Sequence, residues 1–95
     1  MRITYDPEKN QRNIQERGLS FDEVEHLDWG TALILKDERR DYGEERYRVL
    51  GRIGELLYAV VFTPREDEMR VISFRRANRR EEVLYERRRQ EPRGR

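Results

Sequence analysis

The chain predicts an α+β domain: an N-terminal strand and two helices, an antiparallel four-stranded meander, and a C-terminal helix. Three observations carry that expectation. Between Thr31 and Arg75 the apolar residues alternate or form short continuous runs, broken by glycine-containing or charged turns, which is the period of strands. Upstream, two segments open on helix-capping residues and the first of them stops at a glycine. Downstream, Asn78 stands ready to cap a segment that carries Val83, Leu84 and Tyr85.

Residues 2–5 (RITY) read as the first strand. Asp6-Pro7 then supplies a capping carboxylate and a proline fit for the first helical turn, and the helix runs to Gly18. Ile14 is its one large apolar residue, so it is expected to bury a narrow stripe. Ser20 with Glu23 fits a capping box, opening a short helix through Val24 and Leu27 with Phe21 facing inward. Ala32 to Lys36 is the next strand. Arg46 to Ile53 follows, with Tyr47 and Val49 on one face and Arg46, Arg48 and Arg52 on the other. Gly54-Glu55 is a tight turn into Leu56–Phe62, which is apolar on both faces and so expected at the centre of the sheet. TPREDE reads as a loop. Arg70 to Arg75 is the last strand, with Ile72 and Phe74 on one face and Val71, Ser73 and Arg75 on the other.

Composition narrows the function classes. The chain has 95 residues, enough for one domain, expected over residues 1–90 with a frayed basic tail at 91–95. Charged residues make up 43% and apolar ones 35%, against about 25% charged in typical soluble domains, so the core must be thin. Burial alone stabilises so small a domain only marginally, which favours a tight partner or self-association. Cysteine is absent, which excludes disulfides, thiolate catalysis and cysteine metal sites. His26 is the only histidine and no metal-ligand spacing surrounds it, so no metal or other cofactor is expected. There is no signal-peptide core and no apolar run approaching the ~18 residues of a membrane span. A soluble cytoplasmic protein is the expectation.

Charge is distributed unevenly. Residues 1–69 hold eleven basic and sixteen acidic side chains, residues 70–95 ten and four, so a formal net charge of +1 conceals an acidic body and a basic end. Nineteen of the twenty-one basic residues are arginine, whose planar fork suits phosphate. The stretch from Arg65 to Tyr85 concentrates the chemistry. Arg75 ends a strand, Arg79 and Arg80 open a helix whose N-terminus favours anions, and Glu81 and Tyr85 stand four apart on one helical face. Arginine, carboxylate and phenol side by side are what metal-free RNA cleavage needs: a ribose 2′-OH attacks its neighbouring phosphate between a base and an acid. Composition alone leaves three readings open: a solvated surface, a nucleic-acid-binding face, and a catalytic site.

Longer motifs add to this. ITYDPEKNQRNIQERGLSFDEV, GEERYRVLG, LLYAVVFTPR and RVISFRRANRREEVLYE occur in that order, with Tyr5, Asp6, Pro7, Asn13, Gly18, Ser20, Phe21, Glu44, Arg46, Gly51, Arg65, Arg70, Ile72, Ser73, Arg75, Ala77, Glu81 and Tyr85 at the signature positions. Over residues 3–86 the chain resembles the BrnT family of ribonuclease toxins of type II toxin–antitoxin systems, whose fold is similar to that of RelE-type toxins. The family usually has Trp at position 5, Ala at 74, Thr at 78, and Lys-His where Glu16-Arg17 stand here. The resemblance implies a bacterial endoribonuclease that halts translation. Its partner would be a BrnA-type ribbon-helix-helix antitoxin, through which alone the complex reaches DNA, and a homodimer within that complex is allowed. Arg65, Arg75 and Arg79 are then the expected phosphate and transition-state ligands, Glu81 the base and Tyr85 the acid. Arg17, Arg70, Arg76 and Arg80 would be further RNA contacts. The alternative is an RNA- or partner-binding module that uses the same basic surface with weak or no cleavage, since Arg17 can hold a phosphate but does not replace the histidine as a base.

Overall fold

Leu56–Arg65 (LLYAVVFTPR, β4) is apolar on both faces and lies at the centre of the sheet. The computed structural model describes residues 2–91, so the expected tail falls outside the described residues beyond Glu91. Around β4 are β1 (Arg2–Thr4), β2 (Leu33–Lys36), β3 (Tyr47–Ile53) and β5 (Glu68–Arg76), in the order β1-β5-β4-β3-β2. Helices α1 (Pro7–Arg17) and α2 (Arg79–Arg89) and a 3₁₀ helix (Phe21–His26) complete the domain. The expected meander is present from β2 to β5, all antiparallel. It is not a sheet of four strands, however. The N-terminal strand adds to it as a fifth, parallel to β5, with Arg2, Ile3 and Thr4 opposite Glu68, Met69 and Arg70.

Three local expectations are corrected. The TPREDE segment is mostly strand: β4 continues to Arg65 and β5 begins at Glu68, leaving a turn at Glu66-Asp67 where Glu66 takes a φ of 54°. A bulge between Val61 and Phe62 changes the face parity of β5. Val61 pairs with Ser73 but Phe62 with Val71, so Ile72 is the extra residue and Val71 joins Phe74 in the core. The second helix is 3₁₀, and Ser20 caps it by accepting from the Asp22 N–H rather than by a box with Glu23.

Two clusters fill the two faces. On one, Phe21 and Val24 of the 3₁₀ helix and Leu27 at its C-cap pack on Val49, Val60, Phe62, Val71 and Phe74. Gly51 permits this approach, because a Cβ there would collide with the Leu27 side chain. Helix α1 is attached differently from expectation. Ile14 is 37% exposed, and the buried residues of α1 are Asn10 and Asn13. Asn10 Oδ1 accepts from the Phe21 N–H at 2.7 Å, and Asn13 Nδ2 donates to the carbonyls of Leu19 and Phe74 at 2.9 and 3.0 Å. On the other face α2 lays Leu84 and Tyr85 against Leu50, Leu57 and Ala59. Leu57 and Ala59 alternate along β4 with Tyr58 and Val60 of the first cluster, which puts α2 and the 3₁₀ helix on opposite faces.

Candidate functional site

The strand register places the chemistry. Leu33, Leu50, Ala59 and Arg75 form one row across the sheet, and Leu35, Arg48, Val61 and Ser73 form the next. Both rows lie on the α2 face, since Leu50 and Ala59 belong to its cluster. Helix α2 covers the aliphatic end of the first row. Arg48, Ser73 and Arg75 remain partly exposed beside it.

Arg75 is fixed in place. Its Nη1 and Nη2 donate to Glu81 Oε1 and Oε2 at 2.8 and 2.9 Å, a bidentate fork. Glu81 is itself held by the first turn of α2. Its Oε1 accepts from the Asn78 N–H at 2.9 Å while Asn78 Oδ1 accepts from the Glu81 N–H at 2.8 Å, a reciprocal capping box. The Arg75 hydrogen bond holds the Glu81 carboxyl below the usual carboxylate range against the opposing effect of burial, and the Asn78 N–H and the charges of Arg75 and Arg48 act in the same direction. The Arg75 pKa is raised by Glu81, while burial and the positive charge of Arg39 oppose the rise. A carboxylate so engaged is a poor proton acceptor and a good orienting group for a guanidinium.

The remaining expected residues do not gather at this point. Tyr85 is 1% exposed, and its hydroxyl donates to the Thr31 carbonyl at 3.2 Å, with the Arg52 guanidinium 5.2 Å from its ring centre. Glu81 therefore faces Arg75 while Tyr85 faces Thr31, and no acid–base pair forms from their four-residue spacing. Arg65 pairs with Glu68, six residues along β4 from Ala59, or about 20 Å from the Arg75 row at ~3.3 Å per residue, and its Nη2 lies 3.4 Å from Glu44. Arg79 precedes Glu81 by two residues, about 200° around the helix, and lines the outer side with Glu82, Val83 and Glu86. Arg80 is exposed at the start of α2. Arg76 lies 5.7 Å from the Tyr58 ring, which belongs to the opposite face. Arg70 stands opposite Thr63 and Thr4, toward the far end of β5. Arg17 donates to Asn13 Oδ1 at 2.9 Å. With Lys9, Arg12, Ile72 and Ser73 it lines a groove of about 250 Å³ along β5. Ser73 thus lies between that groove and the Arg75 face.

Two basic residues outside the expected site, Arg48 and Arg39, act by their charge on the Arg75–Glu81 pair. Arg48 lies on the polar face expected of β3, but only the register shows that β4 alone separates β3 from β5. Arg39 sits in a loop, where no periodicity signals its direction. Among the described residues no group of three or more His, Asp and Glu could hold a metal ion. No helix of the described residues is long and apolar enough to cross a membrane.

The family model described as the ribonuclease toxin BrnT of type II toxin–antitoxin systems matches residues 5–81. The chain belongs to the BrnT ribonuclease toxin family. The membership expected from the four motifs is borne out, and ribonuclease activity is the property of the family as a whole. No curated protein matches the chain. The BrnT match takes in Arg39, Arg48 and Arg75 and closes at Glu81, leaving Tyr85 and the rest of α2 beyond it. As a type II system, the BrnT family implies a protein antitoxin and an RNA target.

Proposed function

We propose that this chain is an endoribonuclease toxin that cleaves RNA without a metal, on the sheet face carrying Arg48, Ser73 and Arg75. The observation that supports this most is the Arg75–Glu81 fork, which holds a guanidinium in fixed orientation on the face that also carries Arg48 and Ser73. The ribose 2′-oxygen attacks the adjacent phosphorus and the P–O5′ bond breaks, leaving a 2′,3′-cyclic phosphate and a 5′-hydroxyl. Arg75 stabilises the doubly charged phosphorane, and Glu81 positions Arg75. With Glu81 engaged and Tyr85 buried, water takes the 2′ proton and returns one to the 5′-oxygen. Arg17, Arg70 and Arg80 contribute positive charge along the strand's path. A BrnA-type ribbon-helix-helix antitoxin neutralises the toxin, and contact with DNA runs through it.

Purified protein incubated with RNA in EDTA tests the reading. Fragments with cyclic phosphate ends are expected, and Arg75→Ala is expected to lower the cleavage rate about 10²–10³-fold, the effect of removing one preorganised charge donor. Full activity in that variant would remove Arg75 from the site. A second reading, a binding module without cleavage, is favoured because both oxygens of Glu81 are engaged by Arg75 and the Tyr85 hydroxyl is buried against Thr31. RNA retained intact under the same conditions would select it.

A further inference from the structure

We propose that Arg39 is a second phosphate ligand beside Arg75, so that the surface takes two consecutive phosphates of a single RNA strand. The inference rests on the reading of Arg75 as a phosphate ligand and extends it to a residue outside the expected site. Residues 37–46 connect β2 to β3, and their base is closed by the Asp37 N–H donating to the Arg46 carbonyl at 2.8 Å. The Asp37 side chain is 1% exposed, whereas that of Arg39 is 58% exposed. Arg39 Nε and Nη2 donate to Asp37 Oδ1 and Oδ2 at 2.7 and 2.8 Å, and the Tyr42 hydroxyl donates to Oδ2 at 3.3 Å. A buried carboxylate therefore fixes an exposed guanidinium, and among the described residues no hydrogen bond engages its Nη1. Glu81, part-buried with its side chain 20% exposed, fixes Arg75 by a like two-point contact, there through Nη1 and Nη2.

The loop lies toward the same face. Arg46 and Arg48 are two apart on β3 and its N-terminal extension and so share a side. The Arg46 guanidinium lies 4.1 Å from the Tyr42 ring centre, and Tyr42 leads through its hydroxyl to Asp37 and Arg39. Arg39 is near enough for its charge to act on Arg75. Two oriented cations that repel each other are unfavourable on an empty surface, and a ligand with two adjacent negative charges reverses that sign. Neutralising Asp37 would alone explain the ion pair, but it predicts no effect on RNA.

The two explanations separate on binding of a short, single-stranded 2′-O-methyl oligoribonucleotide, which cannot be cleaved. Its affinity is measured against sodium chloride concentration for the parent, Arg39→Gln, Asp37→Asn/Arg39→Gln and Arg75→Ala. The double variant removes both charges together, so no buried carboxylate is left alone if the single variant unfolds. Loss of Arg39 is expected to weaken binding and to lower the slope of log K against log salt by about 0.7, the value for one phosphate contact on a single strand. A parental slope in the folded double variant, with Arg75→Ala still weakened, overturns the role of Arg39 and leaves that of Arg75 standing. A parent with no salt-dependent binding overturns both.

Discussion

Tyr85 donates its hydroxyl hydrogen to the Thr31 carbonyl and is enclosed by Leu50, Leu57 and Ala59. Tyr85→Phe should therefore lose only a hydrogen bond, about 1 kcal/mol in a urea titration, and keep the parent's RNA cleavage and toxicity. Tyr85→Ala should cost about 3–5 kcal/mol by emptying the second core cluster. A folded phenylalanine variant without activity would return the phenol to the reaction. The Arg75–Glu81 neighbourhood was legible in the sequence because six residues and one capping box join the two side chains. Local spacing cannot tell a base from a positioning carboxylate. That depends on whether the oxygens are already engaged, and both are engaged with Arg75.

At the level of elements, the 3₁₀ helix meets β3 at Gly51, where there is no room for a Cβ beside Leu27. Gly51→Ala should destabilise the protein by about 1–3 kcal/mol through overpacking, read as a lower urea midpoint with an unchanged slope. An unshifted midpoint would mean that Leu27 repacks freely. Helix boundaries were largely readable, because Asp6, Gly18 and Asn78 act through bonds to near neighbours. How α1 is attached was not. Asn10 and Asn13 look like solvated polar residues until the Phe21 N–H and the Phe74 carbonyl are brought to them, and the Phe74 bond spans 61 positions. The bulge escaped for a related reason: it is a mismatch between two strands, and Arg70–Arg75 read alone shows only an unbroken alternation.

Across the whole molecule, electrostatics ties stability to pH. The Arg39 hydrogen bonds lower the Asp37 pKa from 3.8 to about 2, against the effect of burial, and Glu81 is also lowered. The folded state then binds fewer protons than the unfolded one near these values. Their contribution is present above the unfolded pKa and is lost as pH falls from 3.8 toward 2. Urea midpoints measured from pH 6 down to pH 2.5 should fall for the parent and fall less steeply for Asp37→Asn; parallel profiles would contradict the assignment. By itself the sequence determined the α+β class, the family, the chain order of the strands and the basic end, since each rests on local period, capping or motif. Only the tertiary structure decided that β1 closes the sheet beside β5, that Tyr85 turns inward, and that Arg48 shares the face of Arg75 while Arg65 and Arg79 stand away from it. The physical reason is that a side chain's partners follow from strand register and from which face a helix buries. Both are set by contacts between residues far apart in the chain.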